Sequence, residues 1–456
     1  MNRPKGLAQR SCSSVEALEP RQLFTIAFPT YLLGSQDAIA PTASAADADG
    51  NVFLLGELSG VADFNPSSHK QHLIDGGDDS YFLAKYDPSG KLLFAFSLGE
   101  DVTNNTELLT LATDSAGNFY VGGELFGSID ADPGRKVRTR TPESGADVVL
   151  FRFNNDGAFL AAGTEAVSDA DVIAADQLKV DKDGNAFVAG TYGDDTAPEV
   201  FLSKFGKSGA SAWWTNGIDA NDVTLGLDRN GAPALVGNTG TAGSMAITRY
   251  TGTGRYVSRQ VLSENAAQGG TIEPVSLDFD KGNFPIIAGN LTGYADFNPT
   301  QNSAIRGPVL ANEPFTNIFL ARYTSAGALS YAQVIGGHAI DKTAGAVVDP
   351  ISGNVYLTGS FNGDTDFDPG TGTFMMTTLN NNYVEDAPSD LFIAKYAANT
   401  GKFLTAAQLE SHNLRDDAVT MAFAPLTATS SRIYVFGMST GFRAGKEAVS
   451  IFETVR

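Results

Sequence analysis

The chain has 456 residues, of which 42% are hydrophobic and 18% charged, and it carries 49 glycines and a formal net charge of −21. This apolar content is typical of a folded, turn-rich protein and excludes a largely disordered chain. The acidic balance excludes nucleic acid and anionic membrane surfaces as partners, because both require a basic footprint. Cations, neutral polymers and other proteins remain possible partners.

The sequence shows no run of about eighteen apolar residues, so we expect no membrane insertion. Cys12 is the single cysteine, which excludes an internal disulfide framework. Stability must therefore come from burial and hydrogen bonding, which is feasible for a chain of this length. We expect a monomer.

The N-terminal residues 1–22 are basic and polar and lack the apolar core of a standard secretory signal. We interpret them as a disordered targeting segment. The stretch "VEALEPRQLF", Val15 to Phe24, resembles the LEPR-x-L-[LF] motif near the start of many large bacterial surface proteins. The resemblance implies an atypical export segment and a secreted or cell-surface protein. A chance match would leave an intracellular scaffold as the alternative.

A repeat occupies the rest of the chain, and such self-similarity decides the fold. The clearest copy runs from Asp47 to Gly99 and reads "DADGNVFLLGELSGVADFNP…DSYFLAKYDPSGKLLFAFSLG". Each copy divides into four short strands rich in Val, Ile, Phe and Tyr, with Gly-containing hairpin turns between strands one and two and between strands three and four. We count seven copies, anchored at Gly50, Gly117, Gly184, Gly231, Gly282, Gly353 and Ser431.

Four-stranded antiparallel meanders bury little surface alone and are stable when stacked around an axis. The sequence therefore predicts an all-β fold: a seven-bladed β-propeller spanning residues 23–456. The last copy ends after its third strand, "AVSIFETV", whereas the segment from Leu23 to Asp37 has the pattern of a fourth strand. We predict that this N-terminal strand pairs with the C-terminal blade and closes the ring, which would remove two open edges.

The copies resemble the bacterial β-propeller repeat family known as SBBP, whose members carry "GNVYVTGSFSG…DFDPG…DIFVAKYD" lines. The resemblance covers nearly all of residues 43–456 and is strongest in copies one, five and six. It implies the propeller fold and an extracellular location. The family has no uniform catalytic role, so the resemblance implies no active-site residue.

Four copies contain an acidic insert after strand two, exemplified by "DTDFDPGTG" from Asp364 to Gly372. Two carboxylates at i and i+2 of an extended segment point the same way and could share a Ca²⁺ ion. The following Pro-Gly or polar pair equally satisfies a structural turn. Both interpretations stay open for the candidate residues Asp63, Asn65, Asp130, Asp132, Asp296, Asn298, Asp366 and Asp368.

Connections between strands two and three share one face of a propeller, so the inserts of copies one, two, five and six should flank an open groove. Trp213 and Trp214 are candidate ligand contacts there. They are adjacent in a strand and point to opposite faces, so one could be exposed in the groove, or both could pack between blades.

Catalytic signatures are weak in this sequence. Its four histidines lie in different copies or in a polar insert, and the sequence contains no Gly-x-Ser-x-Gly elbow or phosphate-binding loop. We therefore expect a non-enzymatic binding or structural module for extracellular polysaccharide or protein. The alternative is a polysaccharide hydrolase or lyase with carboxylates at the propeller axis.

Overall fold

The protein is all-β: in the computed structural model, the described residues form strands and turns and contain no helix. The predicted targeting segment, residues 1–22, lies outside these residues. The described residues are 25–34, 39–65, 72–77, 80–99, 106–134, 136–143, 145–167, 172–193, 199–218, 220, 223–239, 243–299, 302–309, 315–378, 389–409, 415–427, 430–440 and 448–455.

Seven antiparallel four-strand units follow one another along this part of the chain, and in units one to six the four strands pair in chain order. Four units also carry an insert hairpin. In chain order the strands are β1 (Thr25–Gly34), β2 (Ile39–Ala46), β3 (Val52–Leu58), β4 (Val61–Asp63), β5 (Leu73–Asp75), β6 (Ser80–Tyr86), β7 (Leu92–Leu98), β8 (Glu107–Thr113), β9 (Phe119–Leu125), β10 (Ile129–Asp130), β11 (Thr139–Arg140), β12 (Asp147–Phe153), β13 (Phe159–Ala166), β14 (Val172–Val180), β15 (Ala186–Gly193), β16 (Glu199–Phe205), β17 (Ser211–Ile218), β18 (Val223–Leu227), β19 (Pro233–Asn238), β20 (Met245–Tyr250), β21 (Tyr256–Phe279), β22 (Pro285–Asp296), β23 (Ile305–Arg306), β24 (Thr316–Tyr323), β25 (Leu329–Gly337), β26 (Lys342–Val348), β27 (Asn354–Phe361), β28 (Asp364–Asp366), β29 (Met375–Thr377), β30 (Asp390–Ala397), β31 (Phe403–Leu409), β32 (Arg415–Thr427), β33 (Ser430–Thr440) and β34 (Ala448–Val455).

Unit one comprises β2, β3, β6 and β7; unit two β8, β9, β12 and β13; unit three β14 to β17; and unit four β18 to β20 with the start of β21. Unit five comprises the end of β21 with β22, β24 and β25; unit six β26, β27, β30 and β31; and unit seven β32, β33, β34 and β1. The N-terminal strand β1 pairs antiparallel with β34, from Thr25 opposite Val455 to Leu33 opposite Ala448. It therefore stands where the fourth strand of unit seven is expected.

The long strand β21 differs from the sequence prediction, which placed two separate strands there. Its first part pairs with β20 and its last part with β22, so one extended segment joins units four and five. The register against β22 shifts between Asn265 and Gly270, and Gly269 has a φ of 77°. A glycine tolerates this left-handed conformation at low cost, which lets the chain change sheets without a loop.

The turns between first and second strands are Gly-containing hairpins, as the sequence predicted, and an aspartate holds each of those described next. In unit one, Asp47 Oδ1 accepts hydrogen bonds from the backbone N–H groups of Asp49 (3.1 Å) and Asn51 (2.9 Å). Gly50 has a φ of 82° and donates to the Asp47 carbonyl. Asp and Gly therefore act here as turn residues. The same Asx geometry recurs at Asp114, Asp181, Asp228 and Asp280.

Apolar clusters fill the spaces between consecutive units. Between units one and two, for example, Phe53 packs on Phe119 with ring centroids 4.9 Å apart. A further cluster joins Ala422 and Tyr434 of unit seven to Leu54 of unit one. The first strands contact one another in the same cyclic order, including β32 against β2. The core of the protein therefore lies between the sheets.

Buried basic residues on the third strands add a polar link between units. Lys85 Nζ lies 3.2 Å from Asp47 Oδ2 and 4.7 Å from the centroid of the Phe53 ring, and it donates to the carbonyl of Asn155 in unit two (3.1 Å). Arg152, Lys204 and Arg322 occupy corresponding positions, 3.7, 3.8 and 2.7 Å from Asp114, Asp181 and Asp280.

Candidate functional site

The acidic inserts begin with an aspartate that holds the insert loop closed. Asp366 Oδ1 accepts hydrogen bonds from the backbone N–H of Asp368 (3.0 Å) and of Phe374 (2.8 Å). Such bonds to an ionised carboxylate are stronger than neutral ones. The same pair of bonds recurs at Asp63 (from Asn65 and His72, both 2.9 Å), Asp130 (from Asp132, 3.1 Å, and Arg138, 2.8 Å) and Asp296 (from Asn298, 2.9 Å, and Ala304, 2.7 Å).

The pKa of Asp296 agrees with this use of the carboxylate. Burial favours the neutral acid and would raise the pKa, but hydrogen bonds from Ser303, Asn298 and Ala304 outweigh it. The pKa of Asp296 consequently lies below its ordinary value. The group therefore remains ionised at neutral pH, as a strong acceptor for backbone N–H groups must be.

Three of the inserts also pair with the fourth strand of the preceding unit. Asp366 lies opposite Gly336 of β25, and Asp296 lies opposite Glu264 in the first part of β21. Asp63 lies opposite Leu33 of β1. The closing aspartate is thus also the residue through which one unit hydrogen-bonds to the next, toward the outer strands of the units.

The phenylalanine of each Asp-Phe-Asp-Pro or Asp-Phe-Asn-Pro stretch is fully buried. The Phe367 ring packs on Phe392 of the third strand at 4.8 Å, and its carbonyl accepts a hydrogen bond from the Tyr396 hydroxyl (2.9 Å). Phe64 with Tyr86 and Phe297 with Tyr323 repeat this arrangement. In unit two both positions change together, to Ala131 and Phe153, which removes the ring and the hydroxyl.

The second carboxylates of the inserts serve the turn as well. Asp132 Oδ1 accepts from Gly134 N (2.9 Å), and Asp368 Oδ1 accepts from Gly370 N (3.0 Å). Within the described part of the chain, no three His, Cys, Asp or Glu side chains are grouped as a metal site. These contacts explain all four inserts as structural turns without a cation, while Ca²⁺ binding stays a prediction for experiment.

Trp213 and Trp214 lie on β17, the fourth strand of unit three, and pack against neighbouring strands. The Trp213 indole N–H donates to the Gly252 carbonyl of unit four (3.3 Å), and its ring meets Phe187 edge-on at 6.0 Å. Trp214 stacks on Phe201 at 4.6 Å. These contacts correspond to the interpretation that both rings pack between sheets.

A cavity of about 560 Å³ is lined by the first strands of all seven units. We call it the axial cavity. The residues lining it are mostly small or aliphatic, and Asp176, Lys179 and Asp278 are the charged ones among them. Asp278 Oδ2 accepts from Val348 N of unit six (2.8 Å) and Oδ1 from its neighbour Phe279 N (2.7 Å).

Other polar residues beside the axial cavity likewise join consecutive units. Gln177 accepts from Leu225 N (3.2 Å), and Ser276 accepts from Ala346 N (2.9 Å). Glu124 accepts from Ala175 N (3.0 Å), and burial raises the pKa of Glu124 to about 8. These side chains satisfy backbone N–H groups of the next first strand, which is a structural use of polar groups.

Asp341, in the connection from β25 to β26, is a buried acid that contacts an insert. Its Oδ1 accepts from the Thr365 hydroxyl (2.8 Å), while Oδ2 has no hydrogen-bond partner in the described structure. Burial raises the pKa of Asp341 to about 8, against the lowering effect of the hydrogen bonds. Between about pH 4 and about pH 8, the folded protein therefore retains a proton on Asp341 that the unfolded chain releases.

This linkage predicts that stability falls as pH rises. The folded pKa is raised above the unfolded one, so the contribution is complete below about pH 4 and is lost progressively up to about pH 8. A single group changes the unfolding free energy by at most about 1.4 kcal/mol per pH unit. Urea unfolding from about pH 5 to about pH 8 should show a shallower decline for Asp341→Asn than for the wild type. Asp156→Asn, at an exposed turn, is the control, and equal slopes for Asp341→Asn and wild type would contradict the prediction.

Membrane insertion and the histidines of the first insert are two further points that the sequence analysis raised. Among the described residues, no helix is long and apolar enough to cross a membrane. His72 closes the first insert through its backbone N–H, and its ring Nε2 lies 3.3 Å from the Ala95 carbonyl oxygen.

Comparison with known proteins shows no matching family model. A curated relative, the regulatory protein FlaEY of Caulobacter vibrioides, is 26% identical over 251 residues. The match covers 52% of this chain and 26% of the relative, so the chain spans about a quarter of that protein's length. This similarity is too low and too partial to establish a family.

Solved structures with partial likeness include a catalytically inactive virginiamycin B lyase from Staphylococcus aureus with quinupristin. It has a TM-score of 0.46 and 9% identity, covering 94% of this chain and 99% of the lyase. An α-L-arabinanase from Penicillium chrysogenum has a TM-score of 0.40 and 11% identity, covering 94% and 98%. At these scores neither likeness bears on the fold or the activity of this protein.

Proposed function

We propose that the seven units are the blades of a closed seven-bladed β-propeller in which β1 completes the last blade. Three features of the described chain support this architecture: the pairing of β1 with β34, the cyclic contacts of the first strands, and the axial cavity lined by all seven units. Full closure leaves no open sheet edge between the first and last blades.

We propose that the protein is a secreted or cell-surface module that binds extracellular polysaccharide or protein without catalysing a reaction. The observation that carries this proposal is the use of the polar groups. Asp366 holds a loop through Oδ1, and Asp278 accepts backbone N–H groups through both oxygens, so these carboxylates have structural roles that do not require catalysis. The extracellular location rests on the "LEPRQLF" resemblance at residues 18–24.

The second candidate is a polysaccharide hydrolase or lyase that uses the axial cavity. One observation favours it: Asp176, Lys179 and Asp278 all line that cavity. A lyase requires a base at the sugar carbon, and a hydrolase requires two carboxyl groups at a defined separation. Asp278 is already engaged by two backbone N–H groups, which weighs against its use as a base.

A glycan array and a plate of immobilised extracellular proteins, probed with the full chain, test the function. We expect retention of at least one polysaccharide or protein, with no release of reducing ends or unsaturated products. Product formation abolished by Asp176→Asn would instead establish the enzyme, and no retention at all would reject the binding module.

Calorimetry with Ca²⁺ or EDTA tests the inserts. As structural turns they should give the same melting temperature with either addition, whereas Ca²⁺ sites with dissociation constants of about 10⁻⁴ to 10⁻³ M would shift it. Cell fractionation tests the location.

A further inference from the structure

A second cavity, of about 510 Å³, lies between the inserts of units five and six. We call it the insert cleft. Arg306 and Val309 come from the side of unit five, Tyr331 and Gln333 come from β25, and Asp366 and Asp368 come from the insert of unit six. The volume lies within the usual range for small-molecule sites, about 300–1,000 Å³.

Arg306 is held in place by the backbone around it. Its Nε–H donates to the Ala332 carbonyl (2.7 Å), and Nη1 donates to the Ile305 carbonyl (3.0 Å). A guanidinium has five N–H groups, so these two bonds leave donors for a ligand. Because the group is anchored, binding would cost little side-chain ordering.

Acceptors face the cleft from the insert of unit six. Asp366 and Asp368 use Oδ1 for backbone N–H groups of their own loop, as described above. Their Oδ2 atoms are available as acceptors, and the loop closure holds them in fixed positions. The cleft therefore places fixed donors and fixed acceptors on different walls.

The strand between these walls contributes buried polar atoms. Tyr331 Oη and Gln333 Oε1 are inaccessible and have no hydrogen-bond partner in the described structure. Because these two atoms are inaccessible, a ligand in the cleft would contact the side-chain surfaces of Tyr331 and Gln333 and not these atoms. Val309 and Pro369 add apolar surface to the lining.

We propose that the insert cleft binds a neutral oligosaccharide. Vicinal hydroxyl groups act as both donors and acceptors, which matches a guanidinium facing carboxylates, and the C–H faces of sugar rings suit the apolar lining. Two carboxylates against one guanidinium, within a chain of net charge −21, disfavour an anionic sugar. This inference rests on the proposed binding function and names its site.

The unit-two insert supplies a matched control. Arg140 lies opposite Ile129 as Arg306 lies opposite Ala295, and Arg140 Nη1 likewise donates to the preceding carbonyl (3.2 Å). In unit three, β15 ends at Gly193 and β16 begins at Glu199, and the described residues of that unit form no insert hairpin. Arg140 therefore repeats the strand position and the Nη1 hydrogen bond of Arg306, but it does not line the insert cleft.

The test is calorimetric titration of the full chain with cellotriose, maltotriose and mannotriose, and with trigalacturonic acid as the anionic counterpart. We expect at least one neutral trisaccharide to bind more tightly than trigalacturonic acid. Arg306→Ala and Val309→Trp should each weaken that binding at least about tenfold. Arg140→Ala should leave the dissociation constant unchanged, and melting temperatures of all variants verify folding.

The outcomes separate the site from the proposed function. If Val309→Trp and Arg306→Ala bind like the wild type, or if no neutral trisaccharide binds, the proposal of an oligosaccharide site in the insert cleft is rejected. In that case, retention of a polysaccharide or a protein in the array experiment would still support the binding module. If the array experiment also gives no retention, the proposed function fails together with the site.

Discussion

Replacing Lys85 with alanine is expected to lower the unfolding free energy by about 3–5 kcal/mol. The ammonium and its partner Asp47 are 4% and 2% exposed, and they lie 3.2 Å apart. Removal of Lys85 leaves a buried carboxylate without its cation and also removes the hydrogen bond to Asn155 in the next unit. Chemical denaturation of the full chain, monitored by circular dichroism, measures the loss.

An exposed pair in the same protein provides the control. Lys182 and Asp183 are 74% and 65% exposed, so Lys182→Ala should leave the unfolding free energy close to that of the wild type. The double variant Lys85→Met with Asp47→Asn removes both charges and should recover part of the stability lost in Lys85→Ala. The prediction is wrong if Lys85→Ala costs no more than Lys182→Ala.

The buried ion pair of Lys85 was not predicted, although the sequence contains a signal for it. The third strands read "FLAKY", "LFRF", "FLSKF", "AITRY", "FLARY" and "FIAKY", so a basic residue interrupts an apolar run in six copies. A charge at a fixed position of a buried strand predicts a buried partner. Its identity, the aspartate of the first turn, follows only when the strands are placed side by side.

The strand order within units and the hairpin turns are local features, and the sequence predicted them. Alternating apolar residues and Asp-x-x-Gly turns determine this geometry within each copy. The pairing of Asp366 with Gly336 joins two different copies, and no local pattern specifies it. A sequence signal exists only for a contact within one unit: Ala131 replaces the insert phenylalanine in the copy that has Phe153 in place of the third-strand tyrosine.

The prediction of a groove flanked by inserts did not include this pairing. It treated the inserts as loops rising from one face, whereas three of them pair with the fourth strand of the preceding unit. Their buried phenylalanines give a physical reason: an exposed Phe367 would lose about 1.5–3 kcal/mol of burial. The inserts therefore contribute to packing between units, and the cleft between the inserts of units five and six results from that packing.

Deleting residues 23–33 is expected to destabilise the protein by about 4–10 kcal/mol and to promote self-association. β1 and β34 share seven paired positions, with roughly one backbone hydrogen bond at each, and each bond contributes about 0.5–1.5 kcal/mol net. The deletion also removes the partner of β4, because Leu33 lies opposite Asp63. Both β34 and β4 would then present unpaired edges.

Thermal unfolding and size-exclusion chromatography measure the two effects of this deletion. Deletion of residues 2–22 alone is the control, since it spares the paired strand and should leave the melting temperature unchanged. An unaltered melting temperature after deletion of residues 23–33 would mean that β1 adds nothing to the last unit, and the proposed closure would have to be abandoned. A lower melting temperature with a monomeric elution volume would keep the closure and show that the exposed edges are protected by other means, because edge pairing requires a second copy.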